Sequence, residues 1–167
     1  MKNLFCLVCV CISMNSFAQI KELGISKLFA DTCTINFLKP DSGQFIRTYP
    51  RNFLVNADTA KHTLKVDDLY FDTLAMIIDA LPGCIIEIGS HTESNGPDKK
   101  NLTVSKQKAT NTLAYLVRIC AVKRSQLRAR GYGETQLLNA CDDDVPCSES
   151  ENLKNRRIEL KIVGFTK

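Results

Sequence analysis

Residues 84–101 read CIIEIGSHTESNGPDKKN, and the change of pattern inside them decides the fold. The first five, CIIEI, form the short apolar run of a buried strand, which stops at Gly89-Ser90. A polar loop, HTESNGPDKKN, follows, with Gly96-Pro97 as its turn. Upstream, Asp67 and Asp68 cap a helix whose apolar residues Phe71, Leu74, Ile77, Ile78 and Leu81 recur at helical spacing, and Pro82-Gly83 ends it. Before that, Phe53-Leu54-Val55 reads as a short strand, followed by a polar loop with Asn56, Asp58 and Lys61. Downstream, Ser105 opens a second helix with Ala109, Leu113, Leu116, Val117 and Cys120 on one face. Residues 127–130 form a third strand running into Gly131-Tyr132-Gly133-Glu134. In the last strand Ile158, Leu160 and Ile162 alternate with Glu159 and Lys161. The order is βαβαββ. Strands alternating with helices of this length predict an α+β fold, a mixed four-stranded sheet with helices packed on one face.

The composition narrows the function. At 167 residues, 44% hydrophobic and 24% charged, the chain has the make-up of one ordinary domain. A net charge of +4, with no dense Lys/Arg stretch and no Trp, argues against a nucleic-acid partner. Lys2 followed by the eleven-residue apolar run 4–14, with Ser16 and Ala18 at the −3 and −1 positions, predicts a signal peptide over residues 1–18. Its removal from 167 residues leaves 149. Neither Cys9 nor Cys11 follows a small residue, so acylation there is not expected. Residues 19–51 are an N-terminal extension, read as an extra hairpin or a docking arm. Residues 52–167 are the folded domain.

Five cysteines remain after cleavage: Cys33, Cys84, Cys120, Cys141 and Cys147. Export implies an oxidising compartment, where paired cysteines are more often bridges than metal ligands. Cys141 and Cys147 flank DDDVP, a spacing unlike that of a zinc knuckle, and predict a local disulfide. A crossover helix running back along its preceding strand would bring Cys120 towards Cys84 as a second bridge, leaving Cys33 free. Asp142, Asp143 and Asp144 lack the alternating ligands of a calcium loop and read as solvated charges. No metal or cofactor is expected.

Catalytic patterns are missing too. His91-Thr92-Glu93 has only His62 as a second histidine, and neither HExxH nor GxSxG occurs. Gly131-Tyr132-Gly133 falls short of GxGxxG and reads as a bend at a strand end. The chain is not expected to be an enzyme. Thr92, Glu93, Gly96, Asn101 and Lys108, with Arg156-Arg157 further on, place a carboxylate and cations near a helix start. Such a set can hold both charged ends of a zwitterion.

HTESNGPDKKN, then Val104-Ser105, Lys108-Ala109, GYGE and NRRIEL resemble, in order and spacing, the OmpA-like, peptidoglycan-associated domain family. The resemblance covers roughly residues 52–163, and the Cys141–Cys147 insert is similar to forms from Bacteroidota. It implies a non-catalytic envelope protein binding the diaminopimelate-containing peptide stem of peptidoglycan and linking the wall to the outer membrane. It further implies that the protein is exported and periplasmic or outer-membrane associated. By resemblance, Glu93 takes the ligand's ammonium where the family has Asp, and Lys108 takes its carboxylate where the family has Arg. Thr92 and Asn101 match neighbouring contacts, and Asn56, Asp58, Gly96 and Arg157 line the same face. Both substitutions keep charge but lengthen the acid and remove the guanidinium fork. The alternative is therefore a degenerate OmpA-like domain serving as a structural or protein-interaction module, with residues 19–51 docking an envelope partner.

Overall fold

The computed structural model describes residues 39–48 and 68–166, the side chains of Thr48, Asp68 and Leu69 excepted. Strand β1 (Phe45–Thr48) is followed by helix α1 (Asp68–Asp79), β2 (Cys84–His91), α2 (Asp98–Arg118), β3 (Leu127–Gly133), the short helix α3 (Glu149–Asn155) and β4 (Ile158–Phe165). The strands form one mixed sheet in the order β1-β4-β2-β3, with β2 and β3 parallel and the other pairs antiparallel. This is the four-stranded α+β sheet the sequence predicts. The strand expected at 53–55 lies outside the described residues, as do the signal peptide, Cys33, Asn56, Asp58, Lys61, His62 and Asp67. Within the stretch 19–51, Phe45–Thr48 is a sheet strand, paired with β4 from Phe45↔Lys161 to Thr48↔Ile158.

Alternation sorts the two faces of the sheet. Ile46, Ile86, Ile88, Ile158, Leu160 and Ile162 are at most 2% exposed, as are Phe71, Leu74 and Ile78 of α1 and Leu81 just after it. Arg47, Glu87, Arg130, Tyr132 and Glu159 stand on the opposite face. Helix α2 packs chiefly on β3. It begins at Asp98, seven residues before the expected Ser105. The apolar periodicity starts late because the first turns bury Asn101 and Ser105 rather than hydrophobic residues. Those small polar side chains let the helix backbone touch the strand. A Cβ on Gly131 would lie 2.1 Å from the Lys106 nitrogen, and one on Gly133 would lie 3.1 Å from that of Leu102. Ser105 Oγ then accepts from the Gly133 N–H at 2.8 Å and donates to the Leu102 carbonyl. The glycines therefore admit a helix, and the bend read there is a register shift opposite Ser90/His91 that leaves Tyr132 bulged.

Two further differences have local causes. Helix α3 was not expected, yet Ser148 and Glu151 form a complete capping box at its start. The Cys84–Cys120 bridge does not form. Cys84 is a fully buried thiol, and α2 packs chiefly on β3 and less on β2. The Cys141–Cys147 disulfide is present, with Cα atoms 5.7 Å apart.

After α2 the chain turns through Ala121 at φ 57°, a left-handed conformation that glycine adopts without strain. Ala121→Gly should raise stability by about 1 kcal/mol in urea unfolding. Gly131→Ala should lower it by about 3 kcal/mol or more, because the clash is with backbone that no rotamer change relieves.

Candidate functional site

The site grows from the end of the central strand β2. The His91 N–H donates to the Arg157 carbonyl at 3.0 Å and the Thr92 N–H to that of Gly133 at 2.9 Å, so Glu93 leaves the sheet held from both sides. The loop beyond is fixed by Asn101. Its buried Nδ2 lies 3.3 to 3.4 Å from the carbonyls of Glu93, Asn95 and Gly96, and it also donates to the Glu134 carboxylate. Gly96, at φ 102° with open space around its α-carbon, supplies the turn. Ser94 Oγ donates to the Cys141 carbonyl at 2.8 Å, tying the loop to the disulfide segment.

Glu93 is half-buried, and its carboxylate lies 3.5 Å from Arg156. Arg156 also pairs with Glu149 of α3, and its Nε is buried without a hydrogen-bond partner. Lys108, on the third turn of α2, completes the cluster. Burial lowers its pKa below the usual lysine value, the Arg156 charge lowers it further, and Glu93 opposes both. Among the described residues no acid lies within 4 Å of the Lys108 ammonium. Glu93 and Glu149 thus share Arg156, while Lys108, which feels the charges of Arg156 and Glu93, has no acid among the described residues at contact distance.

The other expected residues fall differently. Thr92 is buried, its hydroxyl without a partner. Asn101 positions the loop and commits its amide nitrogen to protein acceptors. Arg157, expected on the ligand face, is 3% exposed and bonds to Glu159 at 2.8 Å and to the Gln136 carbonyl at 3.0 Å. Alternation explains the correction: Arg157 follows Glu159 to the face opposite the helices, while Arg156 turns to Glu93. The NRR run offered both arginines, and nothing in its spacing separated them.

Two neighbourhoods adjoin the cluster. Asp98, Glu134 and Asp143 bring carboxylate oxygens within 4.8 Å of one another. Burial raises the Glu134 pKa, the Asn101 hydrogen bond lowers it, and the two neighbouring acids raise it again. Behind the strand end, His91 is 1% exposed and stacks on Tyr132 at 4.8 Å. Burial first, and then Arg157, push its pKa down to about 4, against the pull of Glu159. Tyr132 in turn donates to Glu87 at 2.5 Å, and burial together with that bond pushes its pKa up to about 12.

The sequence pattern of the OmpA family matches residues 59–152, more than half of the chain. The peptidoglycan-associated lipoprotein of Legionella pneumophila is 31% identical over 79 residues, 47% of this chain and 42% of that protein. The photosystem I P700 chlorophyll a apoprotein A2 of Gloeobacter violaceus is 29% identical over 127 residues, 74% of this chain and 14% of that protein. The chain thus spans less than half the length of either curated relative. In fold it is similar to a MotB-like protein from Desulfovibrio vulgaris, with a TM-score of 0.64 and 18% identity over 92% of this chain and 89% of that one.

A neutral buried imidazole makes a pH prediction. Because the folded state holds His91 near pKa 4 against an ordinary 6.5, the unfolded chain binds the proton first as pH falls. His91 should cost nothing above pH 6.5 and progressively more down to pH 4, reaching about 3 kcal/mol. Chemical unfolding of His91→Phe across this window should show a correspondingly flatter pH dependence than the parent.

Proposed function

The chain belongs to the OmpA family, and from that premise we propose that it is a non-catalytic envelope protein that holds the peptide stem of peptidoglycan. The observation that carries the reading is the Lys108 ammonium, half-buried, under the influence of the Arg156 charge and with no acid among the described residues within 4 Å. Arg156 is already shared by Glu93 and Glu149, so Lys108 is the charge with no acid at contact distance, and a ligand carboxylate would meet it there. Glu93 faces the complementary end, the ammonium of a diaminopimelate side chain. The name of the Legionella relative, a peptidoglycan-associated lipoprotein, supports the same direction. In this proposal residues 1–18 are the export signal, the part of 19–51 ahead of β1 meets an envelope partner, and the folded domain, β1 included, links the wall to the outer membrane from the periplasmic side.

One observation favours a second reading. Glu93 is already paired with Arg156, so a ligand ammonium must share an acid the protein has partly satisfied. A domain whose cluster serves only its own fold would be a structural or partner-docking module.

Pelleting with purified sacculi separates the two. Glu93→Ala and Lys108→Ala should each weaken retention by about tenfold or more. Lys108→Arg should preserve or strengthen it by restoring the two-pronged donor. Free diaminopimelate should compete. Because the Lys108 pKa is lowered, retention should fall on the alkaline side before an ordinary lysine at 10.5 would lose its proton. Alanine variants that bind as well as the parent would establish the second reading.

A further inference from the structure

Both ends of the Cys141–Cys147 bridge lead to Glu93. From Cys141, the carbonyl accepts the buried Ser94 hydroxyl at 2.8 Å, and Ser94 is the residue next to Glu93. From Cys147, the chain passes directly into Ser148, which caps α3. The first residue of α3, Glu149, pairs with Arg156, and Arg156 lies 3.5 Å from the Glu93 carboxylate. The bridge thus closes a ring that runs through the polar loop, the acid, its arginine, the short helix and back. Asn139 and Asn155 stiffen the same segment: Asn155 Nδ2 donates to Asn139 Oδ1 at 2.7 Å, and Asn139 Nδ2 donates to the Glu151 carbonyl at 2.9 Å. No residue of 139–148 pairs in the sheet.

We propose that the Cys141–Cys147 disulfide, acting through Ser94 and Arg156, is a positioning device for the ligand cluster, and that opening it loosens the grip on the wall while leaving the sheet folded. The proposal deepens the ligand reading above and rests on it. Opening requires a dithiol reductant. Its thiolate attacks the Cys147 sulfur and releases Cys141 as a thiolate that takes up a proton. Its second thiol then displaces Cys147, leaving two protein thiols and one oxidised cyclic disulfide. Without the bridge the ten residues 139–148 regain freedom that Ser94 and Arg156 otherwise feel as a fixed wall. Binding a zwitterion at two points then carries the cost of ordering that segment.

The test compares oxidised parent, dithiol-treated parent and the Cys141→Ser/Cys147→Ser variant by sacculus pelleting and by hydrogen exchange, with far-UV circular dichroism to follow the fold. Reducing the already folded parent needs no refolding step. Opening the bridge should weaken retention about tenfold and speed amide exchange over residues 94–96 at least tenfold, with the spectrum unchanged. Ser94→Ala should reproduce part of both effects, and Ser94→Thr, which keeps the hydroxyl, should restore the parent's retention. Unchanged exchange over 94–96 after reduction overturns the proposal, and so does unchanged retention in a parent that binds. A parent that never binds sacculi overturns the ligand reading instead, a result the exchange measurement distinguishes from failure of the positioning device.

Discussion

The approach of the α2 backbone to strand β3 is the constraint on which the rest of the structure depends. With a Cβ at Gly131 only 2.1 Å from the Lys106 nitrogen, the helix and strand occupy a separation that no other residue at 131 permits. That contact sets which helix residues face inward. Asn101, Ser105 and Ala109 form a stripe of small side chains along the seam. One turn of that stripe hands its hydroxyl to the strand, and another spends its amide on the polar loop. Lys108 sits beside the stripe, so its direction is fixed by packing some distance from its charge. Site geometry here is inherited from a backbone contact.

The electrostatics of the cluster follow from where the sheet delivers its ends. Glu93 comes off the central strand, Arg156 off the segment entering β4, and Lys108 off the helix. Helix α3 adds a fourth charge, the Glu149 carboxylate on Arg156. Burial makes the charges expensive to hold. The depressed pKa of Lys108 is the visible sign of that cost, and the 3.5 Å approach of Arg156 to Glu93 is its partial relief. On the far face of the sheet, Glu159 stands between Arg47 and Arg157 at 2.9 and 2.8 Å, a more fully satisfied arrangement. The contrast separates charges that complete the fold from charges that are left over.

What the sequence made legible was whatever repeats. Ile158, Leu160 and Ile162 on alternate positions, and Phe71, Leu74 and Ile78 at helical spacing, are the periodic burial of a sheet face and a helix face, and both elements lie where the pattern put them. The start of α2 was hidden because its inward positions are polar and small, which periodicity of hydrophobicity does not register. Helix α3 was hidden by its seven-residue length, although the Ser148–Glu151 spacing carried the capping signal. Glu93 and Lys108 were legible through the resemblance to a family and not through spacing, and in the structure the Glu93 charge acts on Lys108. The choice between Arg156 and Arg157 was not legible, because it turns on which face of β4 each side chain takes. The Cys84–Cys120 pairing rested on crossover direction alone, which does not set how close two particular side chains come.

The order of the strands sets the order in which this molecule becomes itself. β4, the last strand, lies between β1 and β2, and its pairing with β1 joins residues more than a hundred positions apart, such as Arg47 and Glu159. Contacts of such sequence separation close slowly, since the entropy of a long loop must be spent before they return anything. Arg156 stands at the entry to β4, so its contact with Glu93 rests on that strand's place in the sheet. The contact between Arg156 and Glu93 thus joins segments that the sheet, not nearness in sequence, brings together.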